Sequence, residues 1–412
     1  MKRYLLVLIF CFTGVMLFAQ NMDLELANRE YMRAGASFTD KLAVLERVRD
    51  LGQTGVGEFY HSALRVLLQR IGNAKTAREQ AAAERSAIIL CQGLAAENFK
   101  GAATEIWQTV TVFDIFRSNN HYEGFAMQAA IIALGQLDSR EHIPLIVRRL
   151  NSFNTMNLAN EDIKRKVQRV VIGCINALET FKDPSGFRPL FYASIGSYDP
   201  NIKERAANAL LNIIDDPADL LIEFIQSPAN NASIKYEALK AALGMNIPGT
   251  SKARIAAASL ATGWFYSPSN RQHQNILREF RKVAIDAIRD FGAADASVYE
   301  NLEKSYNNNF ISNSPDFDEI YKSLNALAAI KTDEAIALLY KFLQELHHRR
   351  RNGPWGNKER NVFERVIFCL GSTNTQSMDV RFLLTSISHS DEYTWVERNM
   401  ATDALRNLGL VR

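Results

Sequence analysis

Four cysteines in 412 residues are few, and no two of them stand in Cys-x-x-Cys spacing, so neither a zinc ribbon nor a thioredoxin-like redox motif is present. There is no Gly-x-x-x-x-Gly-Lys, no Gly-x-Ser-x-Gly and no His-Glu-x-x-His, which removes the common nucleotide, hydrolase and zinc-protease signatures. Gly55-Val56-Gly57 lacks both the third glycine and the preceding strand that a dinucleotide site needs. Of seven histidines only His347 and His348 are adjacent. Neighbours on a helix diverge by ~100°, so they do not converge on one metal as an i, i+4 pair does. Charge of one sign is also scarce. The formal net charge is +3, and Lys2 and Arg3 supply two of those positive charges, leaving about +1 after residue 19. That balance argues against a general nucleic-acid or anionic-membrane binder. No run of alternating apolar and polar residues suggests a strand. The expectation is an all-α protein that is not an enzyme, with no catalytic residue, no cofactor and no metal ligand.

What is present is a recurrence. Ala-Leu-x-x-Leu or a close relative appears at Ala133-Leu134, Ala177-Leu178, Ala209-Leu210, Ala287-Ile288, Ala326-Leu327 and Ala404-Leu405, with looser copies at Ala242-Leu243 and Cys369-Leu370. The second residues of these copies are separated by 44, 32, 33, 45, 39, 43 and 35 positions. Most are followed by a turn, such as Asp215-Asp216-Pro217 or Lys331-Thr332-Asp333, and then by a second apolar segment. A period near ~40 with two helices per unit predicts an α-solenoid.

The first residues read as a secretory signal: Lys2 and Arg3, an apolar stretch from Leu5 to Phe18, and Ala19 at the cleavage position. Fourteen apolar-dominated residues are short for a spanning helix of ~20, and no later stretch is long and apolar enough to span a membrane. This implies a protein exported by a bacterium, to the periplasm first of all, with secretion or anchoring through an uncleaved leader as the alternatives. Export permits disulfides. Cys91, Cys174 and Cys369, however, each lie in an apolar helical run of a different repeat. Non-adjacent repeats are separated by tens of Å, whereas a bridge needs Cα atoms within ~7 Å. Three buried free thiols are expected.

The chain is therefore divided into a signal peptide (1–19), a helical N-terminal region with degenerate repeats (20–119) and a repeat array (120–412) of about seven helix pairs. In the N-terminal region Thr39-Asp40 and Asn73 to Thr76 offer cap residues, and Leu90…Leu94 offers one more copy, with Leu90 standing 44 residues before Leu134. Loops are expected at Asn151–Asn160, Phe265–Asn275, Asn307–Asn313 and His347–Asn357. Trp264 and Trp107 are expected to fill gaps between repeats.

Three segments carry a family resemblance: the first-helix sequence Lys203-Glu204-Arg205-Ala206-Ala207-Asn208-Ala209-Leu210, the Asp216-Pro217 turn, and a second helix opening Ile143-Pro144-Leu145-Ile146. Over roughly 120–412 the chain resembles the HEAT repeat family, in particular its bacterial HEAT-like branch. The resemblance implies helix pairs with a ligand-binding concave face. It also implies a scaffold or adaptor more often than an enzyme; HEAT-like lyases acting on bilin chromophores are an exception that export disfavours.

The candidate binding surface comprises Arg349, Arg350, Arg351 and Trp355 in the loop 347–355, with Arg148, Arg149 and Tyr266. Three guanidiniums beside an indole suit a phosphate, a carboxylate-rich glycan or an acidic protein surface. The same cations also suit a helix C-terminus stopped by Gly353-Pro354. Along the second helices Arg148, Arg149, Arg188, Lys252, Arg254, Lys304 and Lys341 stand against Glu223, Glu300, Glu303 and Glu345. The expected role is a protein-binding scaffold of the bacterial cell envelope. The alternative is a module for an anionic envelope glycan or lipid headgroup bound through 347–355. Nucleic acid is not an expected partner.

Overall fold

The computed structural model describes residues 23–409 except 53, 117–120, 158 and 354. The expected signal peptide lies outside the described residues. Among these residues every regular element is helical and there is no strand. The chain divides into two compact units, one ending at Asp215 and the other starting at Asp216.

The first unit holds α1 (residues 23–32), α2 (Phe38–Asp50), α3 (Gly57–Arg70), α4 (Ala77–Ala96), α5 (Ala103–Val112), α6 (Phe125–Gln136), α7 (Ile143–Asn154), α8 (Glu161–Phe181), α9 (Phe187–Ile195) and α10 (Pro200–Ile213). Helices α2, α4, α6, α8 and α10 pack side by side in chain order, and α3, α5, α7 and α9 each pack on the helix that follows. The second unit holds α11 (Ala218–Gln226), α12 (Ala232–Gly244), α13 (Gly249–Phe265), α14 (Arg271–Phe291), α15 (Ala296–Ile311), α16 (Phe317–Ile330), α17 (Asp333–Asn352), α18 (Asn357–Gly371), α19 (Met378–His389) and α20 (Trp395–Asn407). There α12, α14, α16, α18 and α20 stack, and α11, α13, α15, α17 and α19 each pack on the following helix. Each unit is thus an all-α solenoid, each helix pair burying its apolar stripe against its neighbours.

The recurring anchors are core residues. Leu134, Leu178, Leu210, Ile288, Leu327 and Leu370 are fully buried, and Leu405 nearly so. Each such burial contributes about 1.5–3 kcal/mol. Two copies are displaced from their expected register. In α12 the core residue is Leu239, while Leu243, one turn on, is only half-buried. In α4 the equivalent of Leu134 is Leu94 rather than Leu90. The Phe99 amide donates to the Leu94 carbonyl at 2.9 Å and the Ser139 amide donates to the Leu134 carbonyl at 3.0 Å, each closing the same C-terminal turn.

Helix starts follow their side-chain caps. Ser37 caps α2 in a box that Asp40, one of the expected pair, completes by accepting from the Ser37 amide, and Thr76 caps α4 in a box with Glu79. Helix α6 has no cap of its own. Buried Glu84 of α4 serves instead, accepting from the Glu123 amide at 3.0 Å and the Ala126 amide at 3.4 Å. Burial raises its pKa despite these bonds.

Several expected loops are helical. Asn151–Asn154 continue α7, and α14 starts at Arg271 behind the Asn270 cap. Asn307–Ile311 continue α15. Its asparagine side chains do not break the helix because Asn301 and Asn309 donate to the carbonyls four residues back, at 2.7 and 2.8 Å. Stacking of Tyr306 on Phe342 and on Phe310, with ring centroids 3.8 and 5.4 Å apart, carries the apolar face to the helix end.

Cys91, Cys174 and Cys369 are free and buried, as expected. Burial pushes each thiol up to about 12, which removes thiolate reactivity near neutral pH.

Candidate functional site

The segment His347–Arg351 is the last part of helix α17, not a loop. Arginine is a good helix former, and cations in the last turn complement the negative end of the macrodipole. The helix ends at Gly353, whose amide donates to the Arg349 carbonyl at 2.9 Å.

The three arginines do not converge. Arg350 lies over Trp355 and Tyr393, its guanidinium carbon 5.0 and 6.0 Å from the ring centroids. It donates twice to the Glu392 carbonyl, at 3.2 and 2.9 Å, and faces the fully buried Glu397 carboxylate at 4.0 Å. Arg351 donates to the Glu392 carboxylate at 2.7 Å in an exposed pair. Arg349 turns the other way, toward the end of α15, and covers the Phe310 ring at 5.0 Å. Among the described residues it has no ion-pair partner.

Beneath Arg350 the aromatic rings form a continuous cluster. Trp355 meets Phe363 edge-on at 5.5 Å, Phe363 stacks on Tyr393 at 5.4 Å, and Tyr393 stacks on His347 at 5.9 Å. The Tyr393 hydroxyl and His347 Nδ1 are hydrogen-bonded. Burial, reinforced by the Arg351 charge, lowers the His347 pKa. Burial also pushes the Tyr393 hydroxyl up to about 12. Trp355 is half-buried in this cluster, so Trp355 and Arg350 tie α17 to the turn before α20.

Between the ends of α15 and α17 runs an open groove of about 660 Å³, lined by Asn307, Phe310, Ile311, Gln344, Glu345, His348 and Arg349. Ile311 is 72% exposed although it is the last residue of an apolar helix face. Phe310 is buried below two cations. Lys358 Nζ stands 5.2 Å from its ring and donates to its carbonyl at 2.9 Å. The groove combines an apolar floor, a half-buried guanidinium and amide side chains that can donate and accept.

The other candidate residues lie elsewhere. Arg148 is exposed on α7, and Arg149 pairs with Asp114 at 3.4 Å. Tyr266 is half-buried beneath Lys235, whose Nζ is 5.3 Å from its ring. Along the second helices Lys304 pairs with Glu300 at 3.4 Å, Lys341 with Glu303 at 2.7 Å and Arg254 with Asp219. These pairs neutralise Lys304, Lys341 and Arg254, whereas Lys252 lies over the Phe291 ring at 5.4 Å. Trp264 is half-buried and packed, with Nε1 donating to Ser305 Oγ at 3.0 Å and Arg281 stacked on its ring at 4.0 Å. Trp107 is half-buried with its ring 5.7 Å from that of His142.

The sequence reading did not join Asn307, Phe310, Ile311, Gln344 and Lys358 to Arg349. The asparagine run Asn307-Asn308-Asn309 followed by Phe310 was the available signal, but it carries no information about α17. Lys235, buried with Nζ donating to the Ser227 carbonyl at 2.7 Å, was also unforeseen; burial lowers its pKa to about 8. Among the described residues no group of acidic, histidine or cysteine side chains is arranged to hold a metal, and no helix is long and apolar enough to cross a membrane. Compared with protein-family models and with curated proteins, the chain matches none.

Proposed function

We propose that this protein is a non-enzymatic binding scaffold of the bacterial cell envelope, built on HEAT-like helix pairs, and that it engages a protein partner at the groove between α15 and α17. The leader-like pattern of Lys2, Arg3 and Leu5–Phe18 supports export. The observation that carries the reading is Arg349: a half-buried arginine without an ionic partner among the described residues, lying over the Phe310 ring and lining the same groove as the exposed Ile311. Arginine and large apolar side chains in one partly desolvated patch are typical of interface centres.

The alternative, an anionic glycan or headgroup held by Arg349, Arg350 and Arg351 together, is less supported. Arg350 and Arg351 are both committed to Glu392, and Arg349 points away from them toward Phe310.

The test is chemical crosslinking in cells, followed by purification of the tagged full-length chain and mass spectrometry, beside an Arg349→Glu variant. One dominant envelope protein, reduced at least tenfold in the variant, is expected. Recovery of polysaccharide or lipid with no enriched protein would overturn the reading.

A further inference from the structure

We infer that the segment bound in the α15–α17 groove is an extended peptide carrying a carboxylate beside an aliphatic side chain. This rests on the protein-binding reading above and adds the chemistry of the partner.

Charge decides between a discrete carboxylate and a polyanion. Attraction to a polyanionic surface needs a cluster of several unpaired cations. Around the groove, Lys304 is matched by Glu300, Lys341 by Glu303 and Arg351 by Glu392. Glu345 lines the groove itself. Arg349 is left as one oriented guanidinium, with Lys358 on the same phenyl ring. A guanidinium lying over an aromatic ring makes no hydrogen bond to it, so its N–H donors remain for a carboxylate, which can take two of them in parallel. One carboxylate group fits this site; a dense anionic surface meets Glu345 and the neighbouring acids.

The apolar requirement comes from Ile311 and Phe310. Ile311 is 72% exposed in the groove that Arg349 also lines, so an aliphatic side chain laid on it removes apolar surface from water on both partners. The extended form comes from the shape and the amides. The groove is open, whereas small-molecule sites enclose most of their ligand. Asn307 on one wall and Gln344 on the other can each serve a peptide N–H or C=O. A strand of peptide passing between them places successive side chains on opposite sides. The carboxylate then meets Arg349 and its neighbour or next neighbour meets Ile311.

The experiment uses the full chain on an array of Gly/Ser dodecapeptides that carry one Glu and one Leu at every pair of positions. Expected is retention on peptides with the two residues adjacent or one apart, and weak retention when either is missing. Arg349→Ala and Ile311→Asp should each reduce it at least tenfold, while Arg78→Ala, at an exposed position on α4, leaves it unchanged. Thermal melts of both groove variants within a few degrees of wild type exclude a folding defect, and Arg349→Lys, which keeps charge without the fork, should recover only part. Retention indifferent to Glu, or unchanged in Arg349→Ala, would overturn the inference. So would stronger competition by poly-glutamate or phosphatidylglycerol vesicles than by the Glu/Leu peptides. A blank array alongside an Arg349-dependent crosslinked protein would sink the peptide chemistry and leave protein binding standing. A blank array with no crosslinked protein would sink both.

Discussion

Gly135 of α6 faces Ala177 of α8 so closely that a Cβ at position 135 would stand 2.9 Å from the Ala177 Cα and 3.2 Å from its Cβ. Ala177 is the alanine of an Ala-Leu anchor, so the small residue of the recurring motif sets how near the stacked helices come. Gly135→Ala is therefore expected to destabilise by about 1–3 kcal/mol, although alanine favours the helix, because a rigid backbone cannot yield to it. Gly244→Ala, where a Cβ meets nothing within 4 Å, should be neutral or slightly stabilising. Urea melts of the two variants, with opposite signs, check the packing.

The register of α12 gives a second test. Leu239→Ala should cost about 2–5 kcal/mol as a fully buried leucine. Leu243→Ala, at the half-buried position, should cost about 1 kcal/mol or less. A reversed order in thermal denaturation would place the repeat one turn on.

Arg350 and Arg351 should separate sharply despite being neighbours. Arg350→Ala removes a part-buried cation from two aromatic faces and two hydrogen bonds from the Glu392 carbonyl, so a loss of about 1–3 kcal/mol is expected. Arg351→Ala breaks only an exposed pair and should stay within ~0.5 kcal/mol. Chemical denaturation of the single variants distinguishes them, and an Arg349/Arg350/Arg351 triple alanine variant would confuse binding with stability.

How much of this was legible beforehand differs from residue to residue. The core positions Leu178, Leu210 and Leu327 were legible, because the recurring Ala-Leu pattern and the turns that follow it are local signals. The ends of α15 and α17 were not. Runs such as Asn307-Asn308-Asn309 and Arg349-Arg350-Arg351 resemble loop composition, yet side-chain bonds to the preceding turn and the helix dipole accommodate them. Leu239 and Leu243 carry the same local pattern, and only the neighbouring helices decide which faces inward. The meeting of Phe310 with Lys358, 48 residues apart, depends on stacking register, which no short motif encodes.

Stability should depend on pH through His347. Its folded pKa lies below the ordinary 6.5 because the ring is buried and near Arg351. Between those two values the unfolded chain binds a proton that the folded chain does not, so stability rises with pH across that window. The contribution is fully present above pH 6.5 and is lost as pH falls toward the folded value. His347→Gln should flatten this limb of a melting-temperature profile between pH 5 and 8; an unchanged limb would assign it to other groups.

The most direct measurement places a photo-reactive residue at Ile311 in the groove and, separately, at Phe382, 80% exposed on α19, in the full-length chain in living cells. Protein binding at the α15–α17 groove predicts a discrete adduct from position 311, absent from position 382 and lost when Arg349→Glu is added. No adduct at 311, or the same adducts from both positions, would contradict it.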